Sequence, residues 1–86
     1  MRTLYFTEQT QKDAKKLAAS GLKEKAKELL AILSNDPYQT PPPFEKLKGN
    51  LEGALSRRIN IQHRMVYQVL ENEESVKIIR LRTHYE

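Results

Sequence analysis

Residues 55–70 read LSRRINIQHRMVYQVL, and two period-two alternations run through them. Leu55, Arg57, Ile59 and Ile61 alternate with Ser56, Arg58 and Asn60; Met65, Tyr67 and Val69 then alternate with Arg64, Val66 and Gln68. Side chains on a strand point to opposite faces in turn, so such alternation predicts half-buried strands. Glu71-Asn72-Glu73-Glu74 reads as a hairpin turn. Val76 to Thr83 reads as the last strand, with Ile79 and Leu81 on one face and Arg80 and Arg82 on the other. The second half of the chain is therefore a three-stranded antiparallel meander.

Working back toward the N-terminus, residues 36–44 hold Pro37 and the run Pro41-Pro42-Pro43, which predicts a stiff extended loop. Before it, Leu22, Ala26, Leu29, Leu30 and Leu33 recur at helical spacing, and Asn35-Asp36-Pro37 stops that helix. An earlier helix starts at Thr7, a capping residue, with Glu8 suited to the helix dipole. It runs to about Ala19 with Ala14, Leu17 and Ala18 as its thin apolar face, and Ser20-Gly21 breaks it. Leu4 and Phe6 alternate with Thr3 and Tyr5 as a first strand. The order β-α-α-β-β-β predicts a two-layer α+β domain spanning 1–86, with the N-terminal strand and both helices packed on a mainly antiparallel sheet. The opposite sheet face is left for solvent or substrate.

At 86 residues there is room for one core, and a chain this size buries only about 60% of its extended surface. A shallow groove is expected rather than a deep private pocket. The absence of cysteine excludes disulfides and thiolate metal sites. Apolar runs fall far short of the roughly 20 residues that cross a bilayer. Met1-Arg2-Thr3 leads straight into the first strand with no secretory pattern, so no membrane association and a cytoplasmic location are expected.

Fifteen Lys and Arg against eleven Asp and Glu leave a net charge of +4. The helical lysines interleave with Asp13, Glu24 and Glu28, the pattern of an ordinary solvated surface. Strand parity puts Arg58, Arg64 and Arg82 on the polar side, with His84 continuing the face of Arg82. Guanidiniums suit phosphate because their fixed fork offers paired hydrogen bonds. A solvated strand face is the competing reading. Glu45, between Phe44 and Lys46, is either an exposed loop carboxylate or a general base kept ionised by neighbouring cations. His63 reads as structural, at a turn or strand start. No clustered His, Asp or Glu at ligand spacing predicts a metal, no glycine-rich phosphate loop is present, and no cofactor is expected.

The stretch 45–53, EKLKGNLEG, followed by Ser56-Arg57-Arg58-Ile59, His63-Arg64-Met65-Val66-Tyr67 and the closing Arg82-Thr83-His84-Tyr85, resembles the YoeB/Txe family of RelE-superfamily toxins from bacterial toxin–antitoxin modules. That resemblance implies an endoribonuclease that cuts mRNA in the ribosomal A site and is neutralised by a YefM/Phd-type antitoxin. It also implies homodimerisation, and operator DNA contact only through the antitoxin complex. By the same resemblance Glu45 is the base for the ribose 2′-OH, Arg64 stabilises charge on the phosphate, His84 is the acid for the leaving 5′-oxygen, and Tyr85 positions substrate. Lys48, Arg58 and Arg82 are then the RNA phosphate contacts. Gln62 stands where some relatives carry an acid, and Ala54 and Leu55 stand where close relatives carry aromatics. The chemistry is self-consistent, because RNA brings its own nucleophile and needs only a base, a cationic clamp and an acid. Two other readings remain open: a gyrase-directed binding toxin resembling the ParE branch, and a non-catalytic module that binds nucleic acid or antitoxin.

Overall fold

The computed structural model describes residues 2–41, 43–49 and 53–83, and of Arg82 and Thr83 the backbone alone. The elements run β1 (Thr3–Phe6), α1 (Glu8–Ala19), α2 (Lys23–Asn35), β2 (Glu45–Lys46), β3 (Leu55–Arg58), β4 (His63–Leu70) and β5 (Ser75–Thr83). One sheet has the order β1-β5-β4-β3-β2, with β1 parallel to β5 and every other pair antiparallel. Two helices on a mostly antiparallel sheet make the α+β architecture read from the sequence. The strand β2 is an addition to it, because two residues carry no periodicity.

Both helices begin and end on local chemistry. Thr7 caps α1 by accepting the Thr10 N–H on its hydroxyl at 3.1 Å. After Ser20 the chain turns at Gly21, whose φ of 76° lies in the left-handed region that glycine enters at no steric cost. Helix α2 buries Ala26, Leu29 and Leu33 against the sheet, and they join Leu55, Ile59, Met65, Tyr67, Val76 and Ile78 in the core.

The buried face of α1 differs from the apolar stripe expected of it. Thr10, Asp13 and Leu17 are buried, whereas Ala14 and Ala18 are exposed. The cause lies in the sheet edge. β1 pairs with β5 only as far as Ile78, and beyond that point α1 takes over the edge with polar side chains. Thr10 donates its hydroxyl proton to the Ile78 carbonyl at 2.7 Å, Thr7 donates to that of Ile79 at 2.9 Å, and Asp13 accepts the Leu81 N–H at 3.1 Å. Unpaired backbone groups at a buried edge are costly, so polar helix residues outcompete alanines there.

Two strand readings are corrected. The β4–β5 register shifts between Val66 and Tyr67, which face Arg80 and Ile78 respectively. The extra residue is Ile79, so Val76 and Ile78 are buried with Leu81 while Ile79 is only half-buried. Ile61 lies beyond β3, in the turn to β4, and is 83% exposed. Among the described residues no helix is long and apolar enough to cross a membrane.

Candidate active site

The β3–β4 turn sets the geometry of the open sheet face. Asn60 Oδ1 accepts the N–H groups of Gln62 at 2.9 Å and His63 at 2.7 Å, and the Ile59 N–H reaches the His63 carbonyl at 2.8 Å. An asparagine folding its side chain onto the following backbone fixes a tight turn. That turn locks the register in which Arg58 faces Arg64, and a slip of one residue between the strands would put the two on opposite faces. His63 starts β4 with Nδ1 3.1 Å from Asn60 Oδ1, in keeping with its structural reading.

On the neighbouring strand Glu45 pairs with Ser56 and Lys46 with Leu55, and the Leu47 N–H donates to the Ala54 carbonyl at 2.9 Å. Alternation separates the two charged side chains of β2. Glu45 enters a recess of about 110 Å³ walled by Pro43, Ser56, Arg58 and Arg64. There Arg64 Nη1 donates to Glu45 Oε2 at 3.3 Å, with the arginine side chain 20% exposed and the carboxylate 65% exposed. Lys46 and Lys48 line a separate groove of about 540 Å³ together with Tyr38 and Leu55.

Backbone register puts Arg58, Arg64 and Arg82 in one row across β3, β4 and β5. Like charges placed directly opposite on a sheet repel each other, by roughly 0.2–1 kcal/mol. Arg58 and Arg64, with the Glu45 carboxylate beside them, carry a net positive charge at the recess, an arrangement that can receive an anion. Of the residues singled out in the sequence, Glu45, Arg58 and Arg64 meet in the recess, and Lys48 does not. Arg82 joins the row through its backbone. His84 and Tyr85 lie outside the described residues. Among the described residues no three of His, Cys, Asp or Glu are grouped so as to hold a metal ion.

The family model for YoeB-like toxins of bacterial type II toxin–antitoxin systems matches residues 4–85. The chain belongs to the YoeB family. Toxin YoeB from a Synechocystis strain is 40% identical over 58 residues, which cover 67% of this chain and 65% of that protein. The solved YoeB/ParE toxin from Agrobacterium tumefaciens superposes with a TM-score of 0.85 at 29% identity, covering 96% of this chain and 99% of the other. Staphylococcus aureus YoeB, solved both in complex with YefM and as a dimer, superposes with a TM-score of 0.80 at 33% identity, covering 98–99% of either chain.

In this YoeB-family chain Gln62 serves the turn through its backbone N–H, and among the described residues Glu45 is the carboxylate that lines the recess. Ala54 and Leu55 are buried, which spends those positions on the core. Sequence reading passed over two contributors. Ser56 carried a signal, since it shares the parity of Arg58. Pro43 carried none, because a loop residue has no periodicity to place it.

Proposed function

We propose that this chain is the toxin of a toxin–antitoxin module and acts as a ribosome-dependent mRNA endoribonuclease. The observation that carries the reading is the Glu45 carboxylate 3.3 Å from the Arg64 guanidinium, in a recess shared with Arg58. Glu45 takes the proton of the ribose 2′-OH, whose oxygen attacks the adjacent phosphorus. Arg64, with Arg58 and Arg82 in the same row, stabilises the added negative charge on the phosphoryl oxygens. His84 returns a proton to the departing 5′-oxygen, and Tyr85 positions the substrate. The products are a 2′,3′-cyclic phosphate and a free 5′-hydroxyl, with charge and protons balanced. Lys48, on its separate groove, is a more distant phosphate contact.

The recess is too small to enclose a nucleotide, which supports a substrate held by another body. A codon fixed in the ribosomal A site arrives already oriented, and orientation can supply about 7–11 kcal/mol of a barrier. A YefM/Phd-type antitoxin is the proposed partner, a homodimer the proposed assembly, and operator DNA is reached only through the antitoxin complex, all in the cytoplasm.

Induction of the parent and of Glu45→Gln, Arg64→Ala and His84→Ala, followed by primer extension on abundant transcripts, tests the reading. Codon-phased cuts with the parent and their loss in folded variants are expected. Intact transcripts accompanied by DNA damage would replace the nuclease with a gyrase-directed toxin.

A further inference from the structure

We propose that Arg57 is a positioning residue, whose buried guanidinium holds both ends of the 37–44 loop and thereby aims Glu45 into the recess. The proposal rests on the reading of Glu45 as the general base. Arg57 lies between Ser56 and Arg58 on β3 but faces the other way, into the core, and is 1% exposed. Its Nη2 donates to the Pro37 carbonyl at 2.9 Å and its Nε to the Tyr67 hydroxyl oxygen at 2.9 Å. The Tyr67 hydroxyl in turn donates to the same Pro37 carbonyl at 3.2 Å. The guanidinium carbon also stands 5.1 Å from the centre of the Phe44 ring and 6.0 Å from that of Tyr67. One side chain thus grips the loop at Pro37, where it leaves α2, and at Phe44, where it meets β2.

Beside this grip the loop is tied at Tyr38, whose hydroxyl donates to Glu71 at 2.7 Å and whose ring lies 6.3 Å from that of Phe44. Four prolines between residues 37 and 43 supply no N–H donors, so this stretch cannot knit itself to a strand. Downstream, Glu45 is held by a strand of two residues. Phe44 and Glu45 are chain neighbours that go to opposite sides, Phe44 against Arg57 and Glu45 into the recess. Ser56 and Arg57 repeat the arrangement on β3: Ser56 walls the recess while Arg57 grips the loop behind it. A shift of Phe44 therefore reaches Glu45 through a single peptide.

Energy alone does not account for an arginine here. Burying a cation is costly, and a well-packed apolar side chain of similar size is often as stable. What an apolar side chain lacks is direction. A planar guanidinium fixes the angle between its hydrogen-bond partners and the ring stacked on it. Burial raises the Tyr67 phenol above its ordinary value, an effect only partly offset by the bond from Arg57, so the hydroxyl keeps its proton for Pro37.

The test uses Arg57→Met, of similar reach without direction, Arg57→Lys, and Tyr67→Phe. Two readouts are taken: amide exchange at Glu45 and Leu47, whose N–H groups face β3, against core amides such as Met65 and Ile78, and cleavage on programmed ribosomes. In folded Arg57→Met, exchange at Glu45 and Leu47 is expected to rise about tenfold while core amides hold, kcat to fall about 10²-fold, and KM to stay near the parent value. Arg57→Lys is expected to recover part of both effects, because an ammonium can still reach the Pro37 carbonyl. Unchanged exchange at Glu45 and Leu47, or equal loosening throughout the core, overturns the proposal. Should Arg57→Met not fold, Tyr67→Phe is scored by the same criterion. Exchange is read without RNA, so a parent that cuts nothing sinks the nuclease reading while the positioning role is still decided.

Discussion

Glu45 and Arg64 form their 3.3 Å contact across an intervening strand, since Glu45 lies on β2, Arg64 on β4, and β3 runs between them. Alternate strands in a sheet are about 9.5 Å apart, so the two side chains must lean toward each other over β3. The residue beneath them is Ser56, the backbone partner of Glu45 and 4% exposed. A small side chain at that point is what leaves the recess open. Ser56→Leu is expected to fill it, part the two charges and abolish cleavage, while overpacking costs about 1–3 kcal/mol. Ser56→Ala is expected to cleave like the parent. Thermal melts and transcript mapping on the pair check this, and an active Ser56→Leu would show that the contact is dispensable.

The contact itself adds little to stability. With the carboxylate 65% exposed, an ion pair of this kind contributes about 0–1 kcal/mol. Glu45→Gln is therefore expected to melt within a few degrees of the parent yet lose about 10² to 10⁴-fold in cleavage, the usual contribution of a general base. Single-turnover rates on a programmed ribosome measure the loss. Equal rates for the two proteins would remove Glu45 from the chemistry.

Asp13 makes a pH-dependent contribution far from the recess. Burial alone would raise its pKa, but hydrogen bonds from Gln9 Nε2 at 2.9 Å, the Leu81 N–H at 3.1 Å and Arg80 Nε at 3.4 Å outweigh that and hold it below its usual value. A folded-state pKa below the unfolded one means stabilisation that is complete above about pH 4 and fades as pH falls through the folded value. Asp13→Ala is expected to cost about 1–3 kcal/mol at neutral pH, since it strands the Leu81 N–H, and the gap from the parent should narrow on acidification as the ionised carboxylate's share is lost. Urea titrations at several pH values read this directly, and a gap that stays constant down to pH 2 would contradict it.

Asp13 also marks where sequence reading stopped. Strand alternation on β3 and β4 and leucine spacing on α2 are one-dimensional signals of burial, and they placed those strands, that helix and the faces of Arg58 and Arg64. Thr10 and Asp13 are buried for another reason, the unpaired edge of β5, which exists only once β1 has ended at Phe6. The shift at Ile79 is equally silent, because one extra residue preserves the alternation on each side and only reverses its phase. Arg57 fell on the apolar side by parity, but its partners Pro37 and Phe44 belong to a loop with no period. Loop residues and sheet edges are settled by tertiary pairing.

Arg58 offers a test in which stability and function move apart. It is exposed and faces Arg64 directly across the β3–β4 pair, so the fold bears a repulsion that no packing in the core requires. Arg58→Ala is expected to leave the melting temperature unchanged or slightly raised. RNA binding should weaken, and the slope of log affinity against log salt should fall by about 0.7, the value of one phosphate contact on a single strand. Arg80→Ala is the opposite case, because Arg80 is tied to Asp13 and its loss should lower stability. Fluorescence anisotropy with a short single-stranded RNA at several ionic strengths, alongside thermal melts, separates the two. A destabilised Arg58→Ala with an unchanged salt slope would make Arg58 a structural residue and return the row to an ordinary solvated face.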